Sequence, residues 1–193
     1  MTGVTSYIDR YLDEARSVLD ALDHEALSNA IEKIRHLRDR NGRMFIVGVG
    51  GSAANASHAV NDFRKIGGIE SYAPTDNVAE LTAWINDESW DRSMERWLRG
   101  SRLSDNDALM VLSVGGGNDQ TSLNLVRAAE YAKEVGAEVF AIVGRDGGRT
   151  GGIADSTILL PPQSDDTITP LTESFQAIVW HLIVTALNEG TAK

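Results

Sequence analysis

The chain contains no cysteine, which excludes disulfides and thiolate-bound metal. It has no apolar run near the roughly 20 residues that a membrane span needs. Met1 to Ser6 lack a basic region leading into an apolar one, so no signal peptide is expected and the cytoplasm follows by default. Positive charge is in the minority, 18 Lys and Arg against 28 Asp and Glu. The net charge of −10 argues against nucleic acid or an anionic membrane as the main partner. Strict repeats and low-complexity segments are also missing. What remains is an ordinary globular composition, 42% hydrophobic and 24% charged, over 193 residues, enough for one domain with a full core.

The most informative stretch runs from Met44 to Asp62. Met44 to Val47 is apolar and partly β-branched, as a buried strand would be. Gly48, Gly50 and Gly51 break it, and Ser52 opens an alanine-rich helical segment. A strand, glycine turn and helix in this order aim backbone N–H groups at an anion above the helix N-terminus. His58 and Asp62 follow at i, i+4 and share one helix face. The glycine spacing is neither a Walker loop nor a clean dinucleotide fingerprint.

Around this centre the chain reads as alternating helices and strands. Residues 4–22 carry Ile8, Tyr11, Leu12, Ala15, Val18, Leu19 and Leu22 at helical spacing. Asp23 is the expected N-cap of a second helix that buries Leu27, Ile31, Ile34 and Leu37. These two helices, residues 1–42, are either extra cover for the sheet or an oligomer interface. Residues 43–193 form the sandwich, in a single domain of 1–193. Ser71 to Ala73 is a short strand, and a helix starts near Asn77. The pair Asn86 and Asp87 reads as a turn or cap. Residues 88–103 look helical, with Trp90, Met94, Trp97 and Leu98 on one core face. Asp107 to Leu112 is a strand ending in Ser113, Val114, Gly115, Gly116, Gly117 and Asn118, ahead of a helix through Leu123, Val126 and Ala129. This repeats the first glycine turn, and two such turns in a parallel sheet converge where open α/β sheets bind ligands. Further strands are expected at Val139 to Val143 and Thr157 to Leu160, then a polar loop over 161–170. The last helix, Leu171 to Leu187, is apolar enough to require deep burial, with Glu173, Gln176 and His181 as its exceptions. A lone histidine there is most often a satisfied core residue, but a carboxylate beside it needs a partner. The expected fold is an α/β three-layer sandwich on a parallel five-stranded sheet, with two extra N-terminal helices.

The glycine turn leading to Ser52, His58 and Asp62, then Asn86 with Asp87, then Ser113 to Asn118, then Trp180 with His181 together resemble the sugar isomerase (SIS) domain. Within it they resemble the sedoheptulose 7-phosphate, or phosphoheptose, isomerases. The resemblance implies a homotetramer with active sites between subunits and a sugar-phosphate substrate. It implies zinc on His58, Asp62, Glu173 and His181, with Asp62 and His181 as the acid/base pair. Sugar contacts fall on the first glycine loop, Val49, Gly50 and Gly51, and on Asn86 and Asp87, and the phosphate cradle on Ser52, Ser113, Gly115 and Asn118, with Val114, Gly116, Gly117 and Glu173 as further substrate-binding positions. Four departures are evident. Val49 stands where the family has asparagine, Asp62 where it has glutamate, and Glu173 where it has glutamine. The phosphate loop keeps only Ser113 of its hydroxyl run; backbone N–H groups of the triple-glycine turn can still bind phosphate, and Arg64, Lys65 or Arg145 could supply charge that the hydroxyls do not. Glu173 and His181 lie eight residues apart, about 12 Å along a continuous helix. One ion takes both only if the helix starts after Glu173, long side chains bridge the gap, or neighbouring subunits contribute. The alternative to an isomerase is a non-catalytic SIS module binding a sugar phosphate or a protein partner.

Overall fold

The structure, a computed structural model, describes residues 3–189. Thirteen elements follow in chain order among them: α1 (Gly3–Asp20), α2 (His24–Asp39), β1 (Met44–Gly48), α3 (Gly51–Lys65), β2 (Ser71–Tyr72), α4 (Val78–Asp87), α5 (Ser93–Gly100), β3 (Ala108–Ser113), α6 (Leu123–Glu134), β4 (Glu138–Val143), α7 (Gly148–Ile153), β5 (Ser156–Leu159) and α8 (Ile168–Ala186). All five strands are parallel, in the order β2-β1-β3-β4-β5. β1 and β3 are buried at every position, because helices cover both faces of the sheet. Alternate residues face opposite layers. Met44, Ile46, Met110 and Leu112 pack with Phe63 of α3, Ile34 and Leu37 of α2, and Trp180 and Ile183 of α8. Phe45, Val47, Leu109 and Val111 pack with Trp97 and Leu98 of α5 and with Leu125 and Ala129 of α6. This is the three-layer α/β sandwich that the alternation of strands and helices predicts.

The expected N-cap is in place: Asp23 accepts from the backbone N–H groups of Glu25 and Ala26 at 2.9 and 3.0 Å. Several local expectations need correction. The helix expected over 88–103 is interrupted: Trp90–Arg92 form a 3-10 turn, and Ser93 to Gly100 alone are α-helical. Trp90 is exposed, so it leaves the core face that Met94, Trp97 and Leu98 share. Asn86 and Asp87, expected as a turn or cap, are the last two residues of α4, just ahead of its C-cap Glu88. α8 begins at Ile168, with Pro170 in its first turn, where no helical hydrogen bond needs its missing N–H. It is not buried all round, since Ile178 and Leu182 are exposed. The glycine-rich segment Gly148–Ile153 is helical. α1 holds to the body along one line only. Tyr11 and Ala15 pack against the core and Val18 is buried. Arg10 pairs with Asp166 at 2.6 Å and Glu14 accepts from Ser164 Oγ at 2.6 Å. Val4, Tyr7, Ile8, Leu12 and Leu19 are left uncovered.

Candidate active site

β1 ends at Gly48 and α3 starts at Gly51, so the chain turns within two residues. Gly50 takes φ 63°, a conformation natural to glycine, and no side chain caps α3. Gly51 lies under the Glu173 carboxylate: a Cβ there would fall 2.1 Å from Glu173 Oε2 and would push that side chain aside. The uncapped first turn presents backbone N–H groups beyond the strand ends. Ser52 sits in this turn, 1% exposed, and its Oγ has no hydrogen-bond partner among the described residues. Leaving such a group unmatched costs about 1–3 kcal/mol.

The turn after β3 is shaped by its neighbour. The carbonyls of Val114, Gly116 and Gly117 accept from the N–H groups of Gly144, Thr150 and Arg149 at 3.2, 2.9 and 3.0 Å. Gly116 packs so closely that a Cβ would fall 1.8 Å from Gly147 O, and its φ is 66°. Ser113 Oγ accepts from Gly116 N at 3.1 Å. With the carbonyls drawn away, the N–H groups of Gly115 and Gly117 donate to no backbone acceptor among the described residues. Between the two turns lies a cavity of about 850 Å³. Val49, Ser52, Ser113, Val114, Gly115, Gly117 and Asn118 line it, while Gly50, Gly51 and Gly116 shape its walls from behind. Asn118 is spent on its own turn: Oδ1 accepts from the N–H groups of Gln120 and Thr121, both at 2.8 Å.

The second feature lies further down α3. α3 and α8 run side by side in the same direction: Asn55 Nδ2 donates to Glu173 O at 2.8 Å near their starts, and His58 and Asp62 meet His181 further on. Asp62 Oδ2 is 3.9 Å from His58 Nε2 and 3.5 Å from His181 Nε2. Asp62 is 8% exposed, and its Oδ1 accepts from Asn61 Nδ2 at 2.7 Å. His181 Nδ1 lies 2.7 Å from Ala177 O. A carbonyl only accepts, so Nδ1 carries a proton, and Nε2 is the ring nitrogen that faces Asp62. Trp180 stacks on His181 with ring centroids 3.6 Å apart and meets the His58 ring nearly edge-on at 4.8 Å. One donor atom from each of His58, Asp62 and His181 falls within 4.8 Å of the others. Three groups clustered in this way suit a proton or a cation. Donors held at about 2.1 Å around a tetrahedral ion stand about 3.4 Å apart, so the set is compatible with zinc once its side chains draw together.

The SIS domain family model matches residues 10–144, more than two thirds of the chain. The chain belongs to the SIS domain family. Among SIS relatives, the lincomycin biosynthesis protein LmbN of Streptomyces lincolnensis is 34% identical over 157 residues, 75% of this chain and 55% of that protein. This chain therefore spans about half the length of that relative. The probable phosphoheptose isomerase of Thermoplasma acidophilum is 26% identical over 185 residues, 93% of this chain and 97% of its own. Among solved structures, the phosphoheptose isomerase GmhA of Neisseria gonorrhoeae superposes with a TM-score of 0.81 at 25% identity, covering 95% of this chain and 97% of that one.

Within this SIS domain the remaining expected residues are unevenly placed. Glu173 lies against the first glycine turn, on the continuous helix α8, about 12 Å of helix from His181. It stands outside the His58, Asp62 and His181 group. Asn86 and Asp87 are exposed and bond to each other at 2.8 Å; neither reaches the cavity. Thr121, Ser122 and Thr169, which line the cavity, went unnoticed in the sequence. The adjacent hydroxyls of Thr121 and Ser122, just before α6, were the available signal.

Proposed function

We propose that this SIS domain is a phosphosugar isomerase, most specifically one that converts sedoheptulose 7-phosphate to D-glycero-D-manno-heptose 7-phosphate. The observation that carries the reading is that one helix joins both halves of such a site. α3 places Ser52 in an anion cradle and, six residues or about 9 Å on, begins a His58, Asp62 and His181 cluster. Ketose–aldose conversion moves a proton between C1 and C2 and another between their oxygens, so it needs a base at carbon and an acid/base at oxygen. Asp62 takes the carbon proton and His181, through Nε2, serves the oxygens. The Ala177 carbonyl holds His181 in the tautomer that role requires. His58, Asp62 and His181 would hold zinc, which when bound supplies Lewis-acid polarisation of a carbonyl; with Nδ1 committed to Ala177, His181 Nε2 either binds the ion or serves the oxygens, and the chelation test decides between the two. Glu173, on the first glycine turn, completes the ligand set only if it is brought closer, and otherwise orients the sugar.

The reading includes a cytoplasmic homotetramer with sites between subunits, and one domain made of hairpin 1–42 and sandwich 43–193. Uncovered apolar residues on α1, together with Ile178 and Leu182 beside His181, support a second copy covering the cluster. A partner surface would also bring Asn86 and Asp87, or their counterparts, to a cavity they do not reach within one chain. The test is turnover of sedoheptulose 7-phosphate followed by NMR, before and after chelation and after zinc is restored. The expected result is aldose formation that zinc restores. Binding of the sugar phosphate without turnover under any of these conditions replaces this reading with a binding module.

A further inference from the structure

We infer that Arg145 is the counter-charge for the substrate's phosphate, and that it makes this cradle charge-reading where hydroxyls are scarce. The inference rests on the phosphosugar reading of the same site and adds the group that sets its preference for an anion. Two arginines line the cavity. Arg149 is already committed, with Nη1 on Asp119 and Nη2 on Glu130. Arg145 has no hydrogen bond or ion pair among the described residues. Its side chain crosses the second glycine turn, Cδ lying 3.4 Å from where a Gly115 Cβ would stand. Arg145 therefore lines the same cavity as the free N–H groups of Gly115 and Gly117 and the unpartnered Ser52 at the uncapped N-terminus of α3. The neighbouring carboxylate, Asp146, also lines the cavity, but its Oδ1 accepts from Gly148 N at 3.1 Å.

The other basic candidates are placed elsewhere. Arg64 donates to Ser71 O at 3.2 Å and lies over the Tyr72 ring, beside the edge strand. Lys65 ends α3, fourteen residues and about 21 Å of helix from Gly51. Arg145 holds its place at a cost, since its φ is 54°, the left-handed region that side chains avoid. In a chain of net charge −10, a free guanidinium in the cavity that also holds unpaired N–H and O–H donors is selective for a dianion.

The experiment compares wild type with Arg145→Gln, Arg145→Gly and, as a remote control, Lys65→Gln. Inorganic phosphate is the binding probe and sedoheptulose 7-phosphate the turnover probe. Arg145→Gly keeps the left-handed backbone without strain, so lost folding is separable from lost charge. Both Arg145 variants are expected to weaken phosphate binding roughly 10- to 100-fold, the worth of a charge-assisted hydrogen bond. They should flatten its salt dependence and raise KM with kcat within a few-fold. Lys65→Gln should match wild type. Unchanged phosphate affinity and KM in folded Arg145 variants overturn the inference and leave the isomerase reading intact. A wild type that binds no phosphate overturns it too. A wild type that binds phosphate through Arg145 yet isomerises no sugar phosphate overturns the isomerase reading alone.

Discussion

At the N-terminal edge of the sheet, Asp107 is 2% exposed and both of its oxygens are fully used. Oδ1 accepts from Arg43 N and Nε, both at 3.0 Å; Oδ2 accepts from Arg43 Nη2 at 2.7 Å and from Ser104 N and Oγ at 2.9 Å. At the C-terminal edge, Ser52 is equally buried and its hydroxyl bonds nothing among the described residues. Burial is the same at the two ends; satisfaction is not. A saturated polar group holds strands together. An unsaturated one, beside free N–H groups and a cavity, is arranged for something that the chain itself does not provide.

Substitutions at the two ends should separate along this line. Asp62→Asn keeps size and packing but removes the base, so turnover should fall about 10²- to 10⁴-fold with thermal stability and assembly intact. Retained activity in that folded variant would remove Asp62 from the mechanism. Asp107→Asn should do the reverse. Burial opposes the Asp107 carboxylate, but hydrogen bonds from Arg43 and Ser104 outweigh it and hold its pKa below the usual carboxylate value. Its stabilisation is therefore complete above the ordinary carboxylate pKa, near 3.9, and is lost as pH falls through the depressed one. Because Arg43 remains partly exposed, we expect a loss of about 2–3 kcal/mol at neutral pH, below the range for a wholly buried pair, measurable by urea unfolding. The wild type should lose part of its advantage over this variant in acid. Ser52→Ala is the smallest and sharpest case. It removes an unmatched buried hydroxyl, so unfolding free energy should hold or rise slightly, while sugar-phosphate binding weakens by about 1.5–3 kcal/mol. If stability falls and binding does not, the two ends are alike after all.

The sheet and its two glycine turns were legible because their signals are local. Uninterrupted apolar runs such as Met44–Gly48 read as doubly covered strands, and i, i+4 spacing put His58 beside Asp62. The meeting of His181 with Asp62 came only from the family resemblance, since it depends on α3 and α8 lying side by side, which no periodicity reports. Which of Arg64, Lys65 and Arg145 reaches the cavity was equally illegible. That choice turns on helix length and on one left-handed residue. Trp90 misled because a tryptophan at helical spacing normally faces a core, whereas a 3-10 turn rotates it out. The full burial expected of α8 failed for a related reason. Composition measures how much apolar surface a helix has, not whether its own chain covers it.

The strand order also governs how the protein is made. β1 finds its long partner in β3, with Met44 opposite Ala108, 64 residues later. Until then its only strand neighbour is β2, paired through two residues. At ribosomal speeds of roughly 5–20 residues per second, β1 waits roughly 3–13 s for its partner to be synthesised. During that interval α2 and α3, and later Trp97 and Leu98 of α5, can cover the faces of β1, but its edge is paired with the short β2 alone, so the open edge is the weak spot of the nascent chain.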